Sequence, residues 1–149
     1  MLRRVSAAAF AFSLWTASAQ ERLYTATPEQ LQVVKVVLAE QAAWNKGDLD
    51  GFLSHFKDSP ETQAVLGTLV RGMPAIRSVF KTNYPNRDAM GQLDYMEVEA
   101  RELGEKFAMA TGRYRLERSK KSGGGAEGTF TEIFEKTDNG WVVIFSETT

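Results

Sequence analysis

Phe130-Thr131-Glu132-Ile133-Phe134 sets a carboxylate between two phenylalanines in an alternating run, and strand geometry turns residues 130, 132 and 134 to one face. A carboxylate on a buried apolar face is costly unless it is paired or protonated. Two readings of Glu132 follow. It is the structural partner of a buried arginine, or it is a carboxyl with a raised pKa that faces a cavity and acts on a ligand. Hairpin turns centred near residues 104, 122 and 138 would align Met96, Val98 and Ala100 with Met109, Thr111 and Arg113. The next strands would add Phe130, Glu132 and Phe134, then Val143, Phe145 and Glu147. In this register Arg113 lies directly across from Glu132, and an Arg113–Glu132 ion pair is the expectation. A slip of one residue would turn every member of the set to the other face.

Other reactive side chains are sparse. The single histidine, His55, sits at the edge of a helical apolar stripe with no acid implied by spacing. Trp44 and Trp141 read first as core aromatics, with Trp44 kept as a ligand-binding candidate. There is no cysteine, which excludes disulfides, thiolate metal sites and a cysteine nucleophile. One histidine and scattered carboxylates make no metal site, so neither metal nor cofactor is expected.

These side chains must be positioned by helices first and strands second. Thr27-Pro28-Glu29-Gln30 reads as a capped helix start. Leu31, Val34, Leu38 and Ala42 follow at helical spacing, widened by Val33, Val37 and Trp44. Asn45-Lys46-Gly47 breaks that helix, and Asp48 caps a second with Leu49, Phe52, Leu53 and Phe56 on one face. A third starts around Gly72-Met73-Pro74, buries Ile76, Val79 and Phe80, and stops before Pro85. From Gln92 the period becomes two, giving strands over 93–103, 106–117, 128–136 and 141–148, the last two joined at Asn139-Gly140. Helices followed by an antiparallel meander make an α+β domain with helices on one face of the sheet.

The first twenty residues differ from the rest. Arg3-Arg4, an apolar run from Val5 to Trp15 and Ala17-Ser18-Ala19 predict a signal peptide, residues 1–19, cut between Ala19 and Gln20. The run is too short for a permanent bilayer anchor of about 30 Å. The mature domain, 20–149, would be secreted or periplasmic, without a membrane span. Its 16 basic residues against 19 acidic ones leave a charge of about −3 and no electrostatic footprint for nucleic acid.

Trp44-Asn45-Lys46-Gly47-Asp48-Leu49-Asp50-Gly51-Phe52-Leu53 resembles the hallmark helix–turn–helix of the nuclear transport factor 2-like superfamily. Arg71-Gly72-Met73-Pro74-Ala75-Ile76-Arg77 is similar to the start of its third helix, and Tyr84-Pro85, Thr111-Gly112-Arg113 and Gly140-Trp141 resemble a bacterial SnoaL-like branch. The resemblance covers Pro28 to Thr149. It implies a cone-shaped fold, three N-terminal helices packed on a curved antiparallel sheet, with a pocket at the open end. Among ketosteroid isomerases of this superfamily a tyrosine lies in the first helix, a catalytic aspartate after the second and an oxyanion-hole aspartate on the penultimate strand. By that resemblance Glu40 takes the tyrosine position, Gln63 or Ala64 the catalytic aspartate's, and Glu132 keeps the third. The terminal His-Asp-His-like segment of the SnoaL-like branch is replaced by Phe145-Ser146-Glu147.

Two functions of different kind remain. One is an exported binding module that holds a small apolar or amphipathic molecule, with Trp44, Met109, Thr111, Arg113, Phe130, Glu132, Phe134 and Phe145 as ligand-binding candidates. The other is an isomerase, cyclase or dehydratase-like enzyme using Glu132 with Glu40 or Glu147 for acid/base work. An Arg113–Glu132 pair favours the first, and an unpaired Glu132 facing a cavity favours the second. A homodimer is expected through the outer sheet face, drawn with Tyr95, Glu97, Tyr114 and Ile133.

Overall fold

The computed structural model describes residues 25–149, and the predicted leader with its cleavage point lies outside the described residues. Helix α1 (Pro28–Asn45) begins on a capping box, with Gln30 N–H donating to Thr27 Oγ1 at 3.1 Å and Thr27 N–H to Gln30 Oε1 at 3.0 Å. Helix α2 (Leu49–Leu53) is capped by Asp48, helix α3 (Met73–Asn83) by Gly72, and helix α4 (Arg87–Met90) by Asn86. The expected count was three; among the described residues there are four, because the four residues of α4 are too few to show a helical period.

The sheet has six strands: β1 (Gln63–Val65), β2 (Leu69–Arg71), β3 (Gln92–Glu102), β4 (Phe107–Glu117), β5 (Ala126–Thr137) and β6 (Gly140–Thr148). Their order is β2-β1-β6-β5-β4-β3, antiparallel except for β1 beside β6. The long strands match the alternation in the sequence to within two residues. The β1–β2 hairpin was not expected, since three-residue strands carry no readable alternation.

Helix α1 packs its residues Val33, Val37, Glu40 and Trp44 inward. Leu31 and Leu38, expected in the buried stripe, are about half exposed at 50% and 48%. The helix is rolled so that the widening residues, not the central ones, meet the sheet. Side-chain bonds from α1 to β3 fix this roll. Asn45 Oδ1 accepts from Leu93 N–H at 2.7 Å and its Nδ2 donates to Leu93 O at 2.8 Å, while Gln41 Oε1 accepts from Tyr95 N–H at 2.6 Å. Residues four apart on the helix thus satisfy alternate residues of an edge strand, whose backbone groups would otherwise lack a partner.

Two irregularities set which side chains face α1. In β3 the register shifts between Met96 and Glu99, where Glu97 takes a left-handed φ of 54°. In β6 it shifts at Ile144, so that Ile133 opposes Phe145 and Phe134 opposes Val143. A bulge reverses the alternation of the strand that carries it. Tyr95 therefore turns inward, its ring 4.5 Å from that of Phe130, and does not belong to the outer face on which the dimer was drawn. Tyr114, opposite Tyr95, also packs against the core.

Candidate functional site

The register across the meander produces one row of inward residues: Ala100 opposes Ala110, Ala110 opposes Glu132, Glu132 opposes Ser146, and Ser146 opposes Ala64. Glu132 is the one long side chain in a row of alanines and a serine. The small neighbours let α1 approach the sheet, and Glu40 comes down on that helix to meet Glu132. Both carboxyls are sealed from solvent, at 0% exposure for Glu40 and 1% for Glu132.

Their hydrogen bonding is incomplete. Ser146 Oγ donates to Glu132 Oε1 at 3.2 Å. Glu132 Oε2 and both oxygens of Glu40 have no protein partner. The two carboxyls interact with one another, but that contact becomes a hydrogen bond only when a proton lies between them. Burial raises Glu40 well above the carboxylate range, and the neighbouring Glu132 raises it further. Burial also pushes Glu132 up to about 7, against the pull of hydrogen bonds from Glu40 and Ser146. Tyr95 stands close enough to feel both: burial, then the charges of Glu132 and Glu40, hold its phenol well above the usual range. With both carboxyls raised, the pair holds at least one shared proton near neutral pH.

The expected Arg113–Glu132 ion pair does not form. Arg113 opposes Thr129, not Glu132, and its exposed guanidinium reaches Glu97 at 3.4 Å. The β4–β5 turn is centred near residue 121, an odd number of residues off the expected pairing, and the faces of β4 are exchanged as a result. Ala108, Ala110 and Gly112 point to the core with Phe134, Glu132 and Phe130, while Met109, Thr111 and Arg113 lie on the opposite face. The shift in β6 moves Phe145 and Glu147 to that opposite face and brings in Ser146. Of the expected site, Phe130, Glu132 and Phe134 stay together on the inner face. Glu40 joins them from α1.

Trp44 is core. It is 4% exposed, sits edge-on to Phe52, Phe80 and Tyr84, and donates its Nε1–H to Met90 O at 2.8 Å. His55 is half-buried, its imidazole pKa lowered by burial, and its backbone carbonyl accepts from Val143 N–H. Ser146 and Tyr95 are the members of the site that the sequence did not point to. Both arrive through a bulge, and neither bulge has a glycine or proline at the shift to mark it. Among the described residues no group of three or more His, Cys, Asp or Glu side chains forms a metal cluster.

A helix-covered sheet with an interior carboxyl pair can be set beside known proteins. No protein-family model and no curated protein matches the chain. Solved structures do. An NTF-2 like protein of unknown function from Shewanella oneidensis MR-1 superposes with a TM-score of 0.71 at 28% identity, over 78% of this chain and 95% of the other. The chain has the NTF2-like fold. An NTF2-like protein of unknown function from Pseudomonas putida KT2440 matches with a TM-score of 0.68 at 12% identity, covering 83% and 87% of the two chains. The association domain of C. elegans CaMKII matches with a TM-score of 0.62 at 14% identity, covering 88% and 95%. The α+β architecture of this NTF2-like domain is shared with these proteins, two of them of unknown function, and a shared fold does not assign a use.

Proposed function

We propose that this NTF2-like domain binds a small apolar or amphipathic molecule, with Glu40 and Glu132 engaging its polar end and Phe130, Phe134 and Tyr95 facing its apolar part. One observation carries the reading: Glu132 Oε2 and both Glu40 oxygens have no protein donor, and a proton shared between the two carboxyls still leaves one of the three unsatisfied. A buried oxygen left unsatisfied costs about 1 to 3 kcal/mol, and a donor on a bound molecule would offset that. Screening compounds by thermal shift tests it, since binding to the folded state alone raises the melting temperature. A compound that stabilises the wild type and loses its effect in Glu40→Gln and Glu132→Gln is the expected result. Compounds that stabilise wild type and variants alike place binding elsewhere.

A second reading, acid/base catalysis on the bound molecule, is favoured by the contact of two carboxyls sealed inside the domain. Two buried carboxyls in contact, both raised above the ordinary range, can share a proton, so that one gives it while the other accepts. Exchange of the α-hydrogens of a small ketone into deuterium oxide, followed by NMR, measures this. Exchange no faster than in buffer, or unaltered by Glu132→Gln, rules it out.

The domain is proposed to act outside the cytoplasm, on the strength of Arg3-Arg4, the apolar run and Ala17-Ser18-Ala19. Intact mass of the protein from its host should correspond to a chain starting at Gln20. A chain that keeps Met1 argues against export.

A further inference from the structure

We infer that the ligand's polar end is a protonated amine, seated between Glu40, Glu132 and Tyr95. The inference rests on the ligand-binding reading above and names the chemical class of what is bound.

The reasoning is a count of donors and acceptors. Ionised carboxylates only accept hydrogen bonds, and the donor from Ser146 is already committed to Glu132 Oε1. Three acceptor oxygens are left without a protein donor. A proton placed between Glu40 and Glu132 satisfies their mutual contact and still leaves one Glu40 oxygen with none. No lysine, arginine or histidine answers them, since every ion pair among the described residues lies elsewhere, at Glu29, Asp50, Glu97, Glu127 and Glu135. The site is thus acidic, sealed from solvent and without a cationic partner.

Candidate head groups differ sharply against that requirement. A carboxylate or phosphate brings acceptors and a like charge. A carbonyl brings only an acceptor and would need the pair to supply its proton. A hydroxyl offers a single donor. An ammonium brings three N–H donors, no acceptor, and the opposite charge, and charge-assisted bonds are about twice as strong as neutral ones. Its alkyl or aromatic tail would meet Phe130, Phe134 and the ring of Tyr95, whose face also attracts a cation. On the other inward-facing elements, Ala110 of β4 and Val37 of α1 carry no charge to compete.

Arrival of a cation should also displace a proton. Burial raises both carboxyls, so the pair carries a proton near neutral pH, and a neighbouring ammonium favours the ionised form.

The probes are n-octylamine, 1-octanol and octanoate, which share a tail and differ in head group, titrated calorimetrically into the mature protein at pH 7. Octylamine should bind at least about tenfold more tightly than either of the others, the factor that corresponds to 1.4 kcal/mol. In wild type, repeating the titration in buffers of different ionisation enthalpy should report a net release of protons on amine binding. Glu132→Gln should abolish both the proton release and the preference for the amine over octanol. Equal or tighter binding of octanol or octanoate overturns the amine inference and leaves the ligand-binding reading standing. Octylamine binding that releases no proton, or that Glu132→Gln leaves unchanged, places the amine on the acidic surface and likewise overturns it. Absence of binding by all three overturns the ligand-binding reading for this class of tail, and the inference with it.

Discussion

Glu132 and Arg113 looked like partners, and their separation changes the sign of a mutation. With Arg113 across the sheet, Glu132→Gln strands no buried cation. It removes a carboxyl whose ionised form is disfavoured by burial. The folded value lies above the ordinary one of 4.5, so between the two the unfolded chain releases its proton first. Stability contributed by Glu132 is therefore full below about pH 4.5 and is lost as pH rises to about 7. Glu40, raised further, extends the loss upward. We expect Glu132→Gln to be at least as stable as wild type at pH 8, by up to about 2 to 3 kcal/mol, and the advantage to vanish near pH 4.5. Urea titrations of both proteins across that range check it. A variant several kcal/mol weaker at pH 8 would mean that Glu132 has a cationic partner after all. Arg113→Ala, which removes only an exposed pair with Glu97, should change stability by less than about 1 kcal/mol in the same titrations.

At the scale of elements, the site depends on how β3, β4 and β5 lie against each other. Gly112 sits where β3 and β5 crowd β4: a Cβ there would stand 2.6 Å from Phe130 Cε1 and 2.8 Å from the backbone oxygen of Met96. Neither neighbour gives way easily, because Phe130 is buried against Tyr95 and the Met96 carbonyl belongs to the strand at its bulge. Gly112→Ala should cost about 1 to 3 kcal/mol, the range for overpacking a core, and should move the Phe130 and Tyr95 ring signals in an NMR spectrum. A variant with native stability and unshifted rings would show that β3 can slide past Phe130. The Asn45 and Gln41 side chains act against such sliding, since they hold Leu93 and Tyr95 from the other edge of β3.

For the whole molecule, the open question is what covers the outer face of the sheet. Met109, Ile133 and Phe145 form one cross-strand row there, with Phe107 beside them at 40% exposure. Contiguous apolar surface of this kind on a sheet marks an interaction face. Phe107, Ile133 and Phe145 also line a groove of about 470 Å³, where Lys57 Nζ meets Glu135 Oε2 at 2.5 Å. The homodimer we propose uses this row, with Ile133 retained from the expected set and Tyr95 and Tyr114 withdrawn to the interior. Light scattering at micromolar concentration should give twice the monomer mass, and Ile133→Glu should halve it without loss of helical and strand signal in circular dichroism. A monomer mass for the wild type would count against the dimer.

Local chemistry was enough to determine much of this protein. The capping box at Thr27, the helix break at Asn45-Lys46-Gly47 and the turn across Thr137-Asp138-Asn139-Gly140 depend on neighbours in the chain, and all three stand where the sequence implies, with Asp138 and Asn139 as the loop and Gly140 paired to Thr137. Glu132 between Phe130 and Phe134 was likewise legible as a buried carboxyl, because alternation within one strand needs no partner. Which residue meets it was not legible. Register between strands depends on turn length and on bulges at Glu97 and Ile144, where one extra residue exchanges the faces of everything beyond it. The roll of α1 is equally tertiary: Leu31 and Val33 are alike to any periodicity, and only the bonds from Asn45 and Gln41 to β3 decide that Val33 and Glu40 turn inward. Tertiary structure therefore replaced an arginine with a second glutamate as the partner of Glu132, because that choice is made across strands and between helix and sheet.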